Sequence, residues 1–312
     1  MTDFDAERTI AGHVAREAGA LIRARAGSVD AATIAEKDTH DLVTEVDLAA
    51  EALIRERIIA SFPSDGFLGE EQVGADGPPE RGRLWVVDPL DGTTNFAHGI
   101  PPYAVSIALY LDGSAVVAAV YDVPHDELFT AAAGAGATVN GRPTRVSDTS
   151  DIDRALIATG FPYRDYRYME GYMESFEAVA RAARGVRRHG SASVDLAWVA
   201  AGRFDGFFEA GLAPWDMAAG ALLVAEAGGR VDGLPAGADA VWAGAVLASN
   251  GLIHEALAGM TEPLGRAWPA SRKQAVDGGR ETVDSRRGMN RADELHRSVY
   301  HRSRCLSLPL TP

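Results

Sequence analysis

The sequence lacks the features that disulfide-stabilised, membrane-spanning and nucleic-acid-binding proteins need. Its single cysteine, Cys305, excludes a disulfide framework. No apolar run is long enough to span a bilayer. Acidic residues outnumber basic ones by 44 to 30, and the formal net charge of −14 disfavours nucleic acid or an anionic membrane as a partner. The acidic first residues, 1–5, have neither the basic nor the apolar region of a signal peptide, so we expect a cytoplasmic protein.

What the sequence does contain predicts helices packed on β-sheet. The 312 residues are enough to bury a sizeable core. The N-terminal half, 1–148, begins with a helical stripe and continues as strands, two of which flank a hairpin turn at Asp112-Gly113. In the C-terminal half, 149–260, strand-like runs alternate with helical ones. This alternation predicts an α/β (α+β) protein.

The last segment, 261–312, differs in charge and pattern. It has 10 Lys and Arg and 6 Asp and Glu, a net charge of +4 against −18 for the rest of the chain. It has no apolar periodicity, so it cannot bury enough surface to offset its ordering entropy. We predict a disordered basic tail. A short helix at 291–300 is the alternative for that part of it. We expect the tail to be inert, so that a chain ending near Gly259 keeps its rate and its cooperative melting; docking of the tail on the acidic body is the alternative.

The most informative segment runs from 84 to 96. A strand-like stretch, 84–87, is followed by two carboxylates three residues apart, Asp88 and Asp91, and then by Gly92-Thr93-Thr94. Clustered carboxylate oxygens suit Mg²⁺, which holds few carboxylates together with substrate phosphate. Free backbone N–H groups after a glycine suit a phosphate anion. The alternative is a structural turn, because Asp-Pro and Asp-Gly are common turn dipeptides.

Three further carboxylates stand in comparable contexts. Asp47 and Asp216 each begin a helical pattern, where an acid in the first turn is also explained by helix capping. Glu70, in Gly69-Glu70-Glu71, follows an apolar pair, and a solvated surface position is its alternative. If Glu70 points inward it needs a cation, because an unpaired buried carboxylate is costly.

These segments together resemble the inositol monophosphatase family of Mg²⁺-dependent, lithium-sensitive phosphatases. The matching segments follow the family's order and spacing: 41–47, 69–71, 88–96, 190–192 and 215–220. The resemblance implies a layered α-β-α-β-α sandwich with the site between its two halves. It places most metal ligands in the N-terminal half, and Asp216 and the polyol contacts in the C-terminal half.

The resemblance also implies two to three Mg²⁺ ions and assigns their ligands. One ion is expected on Glu70, Asp88 and the Leu90 carbonyl. A second is expected on Asp88, Asp91 and Asp216. A third, weaker ion would be held mainly by Glu70 and water.

Catalytic and substrate roles follow from the same resemblance. A metal-activated water is the expected nucleophile, with Asp47, Thr93 and Glu70 as catalytic residues; Thr93 is not ionised, so it would relay the proton to Asp47. The residues expected to contact phosphate, sugar or inositol are Asp91, Gly92, Thr93, Gly190, Ser191, Ala192, Glu209 and Asp216. For Glu209, an exposed charge at a strand end is the alternative.

The implied activity is hydrolysis of inositol-1-phosphate to inositol and phosphate. Relatives that act on phosphoadenosine phosphate or histidinol phosphate tend to carry Thr-Lys where this chain has Thr94-Asn95. Fructose-1,6-bisphosphate and histidinol phosphate nevertheless remain alternative substrates. A regulatory binding role in transcription is the alternative of a different class. By resemblance we also expect a homodimer.

Overall fold

The computed structural model describes residues 4–27, 35–38, 41–43, 45–71, 81–162 and 165–268. These residues belong to one compact unit, Met1–Ala275. Within them the α-helices are α1 Asp5–Arg25, α2 Glu45–Ser61, α3 Thr93–Ala97, α4 Met169–Ala182, α5 Ala192–Ala200, α6 Pro214–Glu226 and α7 His254–Ala267. In this part of the chain, none of the helices combines the length and the apolar character needed to cross a membrane.

Two sheets carry the fold. The seven-stranded sheet contains, in spatial order, β3 Gly66–Gly69, β4 Arg83–Asp91, β5 Ala104–Leu111, β6 Ser114–Asp122, β7 Glu127–Ala132, β8 Gly136–Val139 and β9 Arg142–Thr144. The five-stranded sheet has the order β11-β10-β12-β14-β13, formed by β10 Leu156–Thr159, β11 Gly185–Arg187, β12 Gly206–Ala210, β13 Arg230–Gly233 and β14 Ala245–Ser249. A separate two-stranded sheet pairs β1 Ala35–Asp38 with β2 Asp41–Val43.

The predicted hairpin turn joins β5 and β6. Asp112 and Gly113 both have positive φ, 49° and 83°. Two successive residues in this left-handed region match the right-handed twist of paired strands, which explains why Asp-Gly stands here. The hairpin prediction is therefore confirmed, and it places β5 beside β4, the strand that carries the two central aspartates.

Helices and sheets alternate as five layers. α1 and α2 cover one face of the seven-stranded sheet, and α6 covers the other. α5 and α6 also contact the five-stranded sheet, whose far side is covered by α4 and α7. The middle core lies around α5 and α6 and includes Val194, Leu196, Met217 and Leu223, all buried. The predicted α-β-α-β-α sandwich is confirmed.

The tail prediction is wrong for the residues that α7 occupies. α7 continues to Ala267, well past the expected boundary at 261. Leu264 and Trp268 are buried, and the Trp268 indole N–H donates to the Ala243 carbonyl at 2.8 Å. Gly171 on α4 allows the close approach, because a Cβ there would lie 2.5 Å from the Pro263 carbonyl oxygen. Residues 269–312, including 291–300, lie outside the described residues.

This packing reverses the expected effect of truncation. A chain that ends at Gly259 loses the buried Leu264 and Trp268, each contributing roughly 1.5–3 kcal/mol. We expect its melting temperature to fall by about 10 °C or more. A chain that ends at residue 275 is the matched control and should melt like the full-length protein. Differential scanning calorimetry of the three chains measures this difference. A melting temperature of the shortest chain equal to that of the full-length protein would contradict the role given to α7.

Candidate active site

The site is organised by the last residues of β4. The sequence predicted that the strand ends before Asp88, but β4 continues to Asp91 because Asp88 still pairs with Ser106 and Asp91 with Ala104. The register shifts between the two aspartates, and the Leu90 N–H donates to Asp88 Oδ1 at 2.9 Å. This irregular stretch fixes the direction of the Asp88 carboxylate.

Gly92 makes the turn from β4 into α3. Its φ is 91°, in the left-handed region that favours glycine. A Cβ at this position would lie 3.1 Å from the Pro102 carbonyl oxygen and 3.3 Å from that of Gly190. Glycine is therefore required both by the backbone conformation and by the close approach of two other chain segments.

Thr93 and Asp47 form the pair that the resemblance implied. Thr93 Oγ1 lies 3.0 Å from Asp47 Oδ1 and 3.0 Å from the Leu90 carbonyl oxygen, so its single proton can be donated to either acceptor. Asp47 stands in the first turn of α2 and is buried. Thr44, which with Asp47 fits a Ser/Thr-x-x-Asp/Glu capping box in the sequence, lies outside the described residues.

Asp88, Asp91 and Asp216 come together from two parts of the chain. One carboxylate oxygen from each lies within 4.8 Å of the others. Asp216 stands in the first turn of α6 and accepts the Ala213 N–H at 2.7 Å. The capping explanation of Asp216 therefore holds alongside its place in the cluster.

The electrostatics of this cluster favour a bound cation. Burial raises the pKa of Asp88 well above its usual value, and the charges of Glu70, Asp91 and Asp216 raise it further. Burial also raises the pKa of Asp91, against which the hydrogen bonds from Ser191 and Ser193 act. A divalent cation with a preference for oxygen ligands offsets this repulsion, so the residues fit Mg²⁺.

Glu70 lies beside the cluster but is not a member of it. It follows β3 directly, is half-buried, and its N–H donates to the Val87 carbonyl at 3.2 Å. Its charge raises the pKa of Asp88, which places it close to that carboxylate. A fully solvated surface position is therefore wrong for Glu70.

Glu209 is buried at the end of β12, so the alternative of an exposed strand-end charge is wrong. It is 7% exposed, and its carboxylate occupies the space that a side chain at Gly160 would need. Burial raises the pKa of Glu209 well above its usual value, the charge of Asp195 adds to this, and Arg188 opposes it. Its carboxyl thus lies in a site shared with other acidic groups.

The segment 190–192 connects the two halves at the site. Gly190 has a φ of 88°, and Ser191 Oγ donates to Asp91 Oδ2 at 2.6 Å. Ala192 begins α5. Asn95 of α3 holds the segment in place, because its amide donates to the carbonyl oxygens of Pro102 at 2.8 Å and His189 at 2.6 Å.

Sequence reasoning missed two of these contributors. Asn95 was considered only for substrate preference, and Ser193 was not considered. Ser193 donates to Asp91 Oδ2 through both its N–H, at 2.8 Å, and its hydroxyl, at 2.5 Å. The only signal in the sequence was a second hydroxyl, two residues after Ser191, at the start of an apolar helix.

The five-layer fold and the partly buried carboxylate cluster define the class, an α/β protein with an acidic cluster that can hold metal ions. The model of the inositol monophosphatase family matches residues 5–265. Over 257 residues the chain is 45% identical to the Nus factor SuhB of Pseudomonas aeruginosa, covering 81% of this chain and 95% of that protein. It is 44% identical over 241 residues to the inositol-1-monophosphatase of Rhizobium meliloti, covering 77% and 90%.

A solved structure supports the same family assignment as the family model and the two relatives. The inositol monophosphatase from Anabaena (Nostoc) sp. PCC 7120 superposes with a TM-score of 0.72 at 40% identity, covering 85% of this chain and 96% of that one. The chain belongs to the inositol monophosphatase family. It is thus a phosphatase-type hydrolase with an acidic cluster that can hold metal ions.

Proposed function

We propose that this protein is a Mg²⁺-dependent phosphomonoesterase that hydrolyses inositol-1-phosphate to inositol and phosphate. The observation that carries the proposal is the meeting of Asp88, Asp91 and Asp216 within 4.8 Å, next to the turn at Gly92. The name of the Rhizobium meliloti relative supports the choice of substrate.

Asp88, Asp91 and Asp216 would hold Mg²⁺ with Glu70 and the Leu90 carbonyl beside them. When bound, Mg²⁺ supplies positive charge that offsets the charge of the phosphate and acidifies a nearby water. The backbone N–H groups of Gly92 and Thr93 would hold the phosphate oxygens. These roles of the individual residues are part of the proposal.

Thr93 and Asp47 would take up the proton that the attacking water loses. The hydroxyl of Thr93 can accept a hydrogen bond from that water while it donates to Asp47 Oδ1 at 3.0 Å. As the water oxygen bonds to phosphorus, its proton passes through the Thr93 hydroxyl to Asp47. The ester P–O bond breaks, and the leaving alkoxide takes a proton from solvent to become the alcohol.

Substrate contacts beyond the phosphate are assigned to the C-terminal half. Glu209 and the backbone of 190–192 would contact ring hydroxyls, since both lie at the same end of the five-stranded sheet as the acidic cluster. Asp91 Oδ2 already accepts from two serines, so Oδ1 would both face the cation and accept a hydrogen bond from a substrate hydroxyl. Asp216 would contact substrate from the first turn of α6.

A phosphate-release assay tests the choice of substrate. Inositol-1-phosphate, fructose-1,6-bisphosphate, histidinol phosphate and phosphoadenosine phosphate are compared at equal concentration with Mg²⁺. We expect the highest kcat/KM for inositol-1-phosphate. A higher value for any of the other three would replace the proposed substrate and leave the phosphatase class unchanged.

A regulatory binding role in transcription is the second candidate, and it is favoured by relatives with the name Nus factor SuhB. Co-elution of the protein with purified bacterial transcription complexes would support it. The variant Asp88→Asn separates the two roles, because it should bind equally well while its turnover is lost. The homodimer and the cytoplasmic location remain predictions, for light scattering and cell fractionation to test.

A further inference from the structure

Asp91 is held by a helix that lies about one hundred residues further along the chain. Its Oδ2 accepts three hydrogen bonds from the first residues of α5, one from the Ser191 hydroxyl and two from Ser193. Ser191 and Ser193 are 1% and 0% exposed, so bulk solvent does not compete for these hydrogen bonds. The carboxylate plane of Asp91 is therefore set by α5 and not by its own strand.

The hydroxyl of Ser193 has no role in capping α5. A capping serine accepts a backbone N–H through its oxygen, whereas Ser193 Oγ donates to Asp91 at 2.5 Å. Ser193 lies inside α5, after the N-cap residue Ser191. Among the described residues, the hydrogen bond that its hydroxyl donates is thus directed at a carboxylate of the acidic cluster.

Three donors on one oxygen leave the other oxygen for a different partner. A carboxylate oxygen offers about two lone-pair directions, so Oδ2 is fully used. Oδ1 is then the oxygen of Asp91 that can turn towards Asp88 and Asp216. Groups that hydrogen-bond a metal-ligating carboxylate fix its orientation, and their loss typically weakens metal binding about 10–100-fold.

We propose that the Ser193 hydroxyl is a positioning group that fixes Asp91 for a divalent cation. The inference rests on the proposed function in one respect, since it takes Asp91 as a cation ligand. It adds a residue that touches neither metal nor substrate and acts only through Asp91. Ser193→Ala should weaken cation binding about tenfold, the lower end of the typical range, because the Ser193 N–H and the Ser191 hydroxyl remain.

The test measures binding of Mn²⁺, without substrate, by its electron paramagnetic resonance signal. Ser175→Ala is the matched control, because Ser175 is also 0% exposed and its hydroxyl oxygen accepts the Leu264 N–H on the far side of the five-stranded sheet. We expect Ser193→Ala to raise the Mn²⁺ Kd about tenfold and Ser175→Ala to leave it unchanged. Circular dichroism should show native structure for both variants.

The Mg²⁺ dependence of the rate is a second measurement, and it separates a positioning role of Ser193 from a general loss of native structure. The Mg²⁺ concentration at half-maximal rate should rise about tenfold in Ser193→Ala, while kcat at saturating Mg²⁺ stays close to that of the wild type. An unchanged Mn²⁺ Kd in Ser193→Ala overturns the inference and leaves the proposed function standing. An equal rise in Ser175→Ala also overturns it, and a wild-type protein that binds no Mn²⁺ overturns both.

Discussion

Asp88→Asn is expected to abolish turnover and weaken Mg²⁺ binding while the fold survives. The side chain keeps its size, and its Oδ1 can still accept the Leu90 N–H. The substitution removes one negative charge from the cluster that Asp88 forms with Asp91 and Asp216. Asp88 is only 2% exposed, so solvent does little to screen that charge. Burial, and after it repulsion from the neighbouring carboxylates, raises the pKa of Asp88, so removing its charge should keep or increase the melting temperature of the metal-free protein.

The measurement combines phosphate release, Mn²⁺ binding and thermal melting of the same sample. Asp205→Asn is the matched control, because Asp205 is also a buried aspartate, accepting from the Leu156 N–H at 2.7 Å outside the cluster. This control should melt at a lower temperature and keep its turnover. Activity of Asp88→Asn at saturating Mg²⁺ would refute the role given to Asp88.

Thr93→Ala is expected to lower kcat by about 10²–10⁴-fold, the range typical of a lost acid–base element. The variant removes the hydroxyl that lies 3.0 Å from Asp47 Oδ1 but none of the carboxylates of the cluster. Mn²⁺ affinity should therefore stay nearly intact. Thr93→Ser keeps the hydroxyl and should recover most of the rate.

Thr94→Ala is the matched control for this prediction, since Thr94 is the exposed neighbour of Thr93. It should hydrolyse substrate at close to the wild-type rate. If Thr93→Ala instead loses Mn²⁺ binding together with activity, Thr93 supports the metal site and the proton relay is wrong.

The sequence predicted the central carboxylates because their local contexts are informative. Asp88 and Asp91 come directly after an apolar stretch of β4, and Asp216 stands in the first turn of α6, so each was recognisable without the fold. Their meeting within 4.8 Å depends on the packing of α6 against β4, which the resemblance implied and the periodicity did not. The burial of Glu209 likewise depends on Gly160, which directly follows the neighbouring strand β10.

Two features, the hydrogen bond from Ser193 to Asp91 and the length of α7, could not be predicted from the sequence because they depend on tertiary contacts. Ser193 gains its role only when α5 is placed against the end of β4. α7 has Pro263 inside it, which normally weakens a helix by removing a backbone hydrogen bond. Packing of Leu264 and Trp268 against the five-stranded sheet and α4 outweighs that cost, so the helix extends into the segment whose composition indicated a tail.

The most direct test of the proposed function is removal and return of the metal. Phosphate release from inositol-1-phosphate is measured with Mg²⁺, after addition of excess EDTA, and after Mg²⁺ is restored above the EDTA concentration. The cluster of Asp88, Asp91 and Asp216 predicts full loss of the rate with EDTA and its recovery with Mg²⁺. A rate that EDTA leaves unchanged, or no phosphate release with Mg²⁺ from this or any of the three alternative substrates, would contradict a Mg²⁺-dependent phosphomonoesterase.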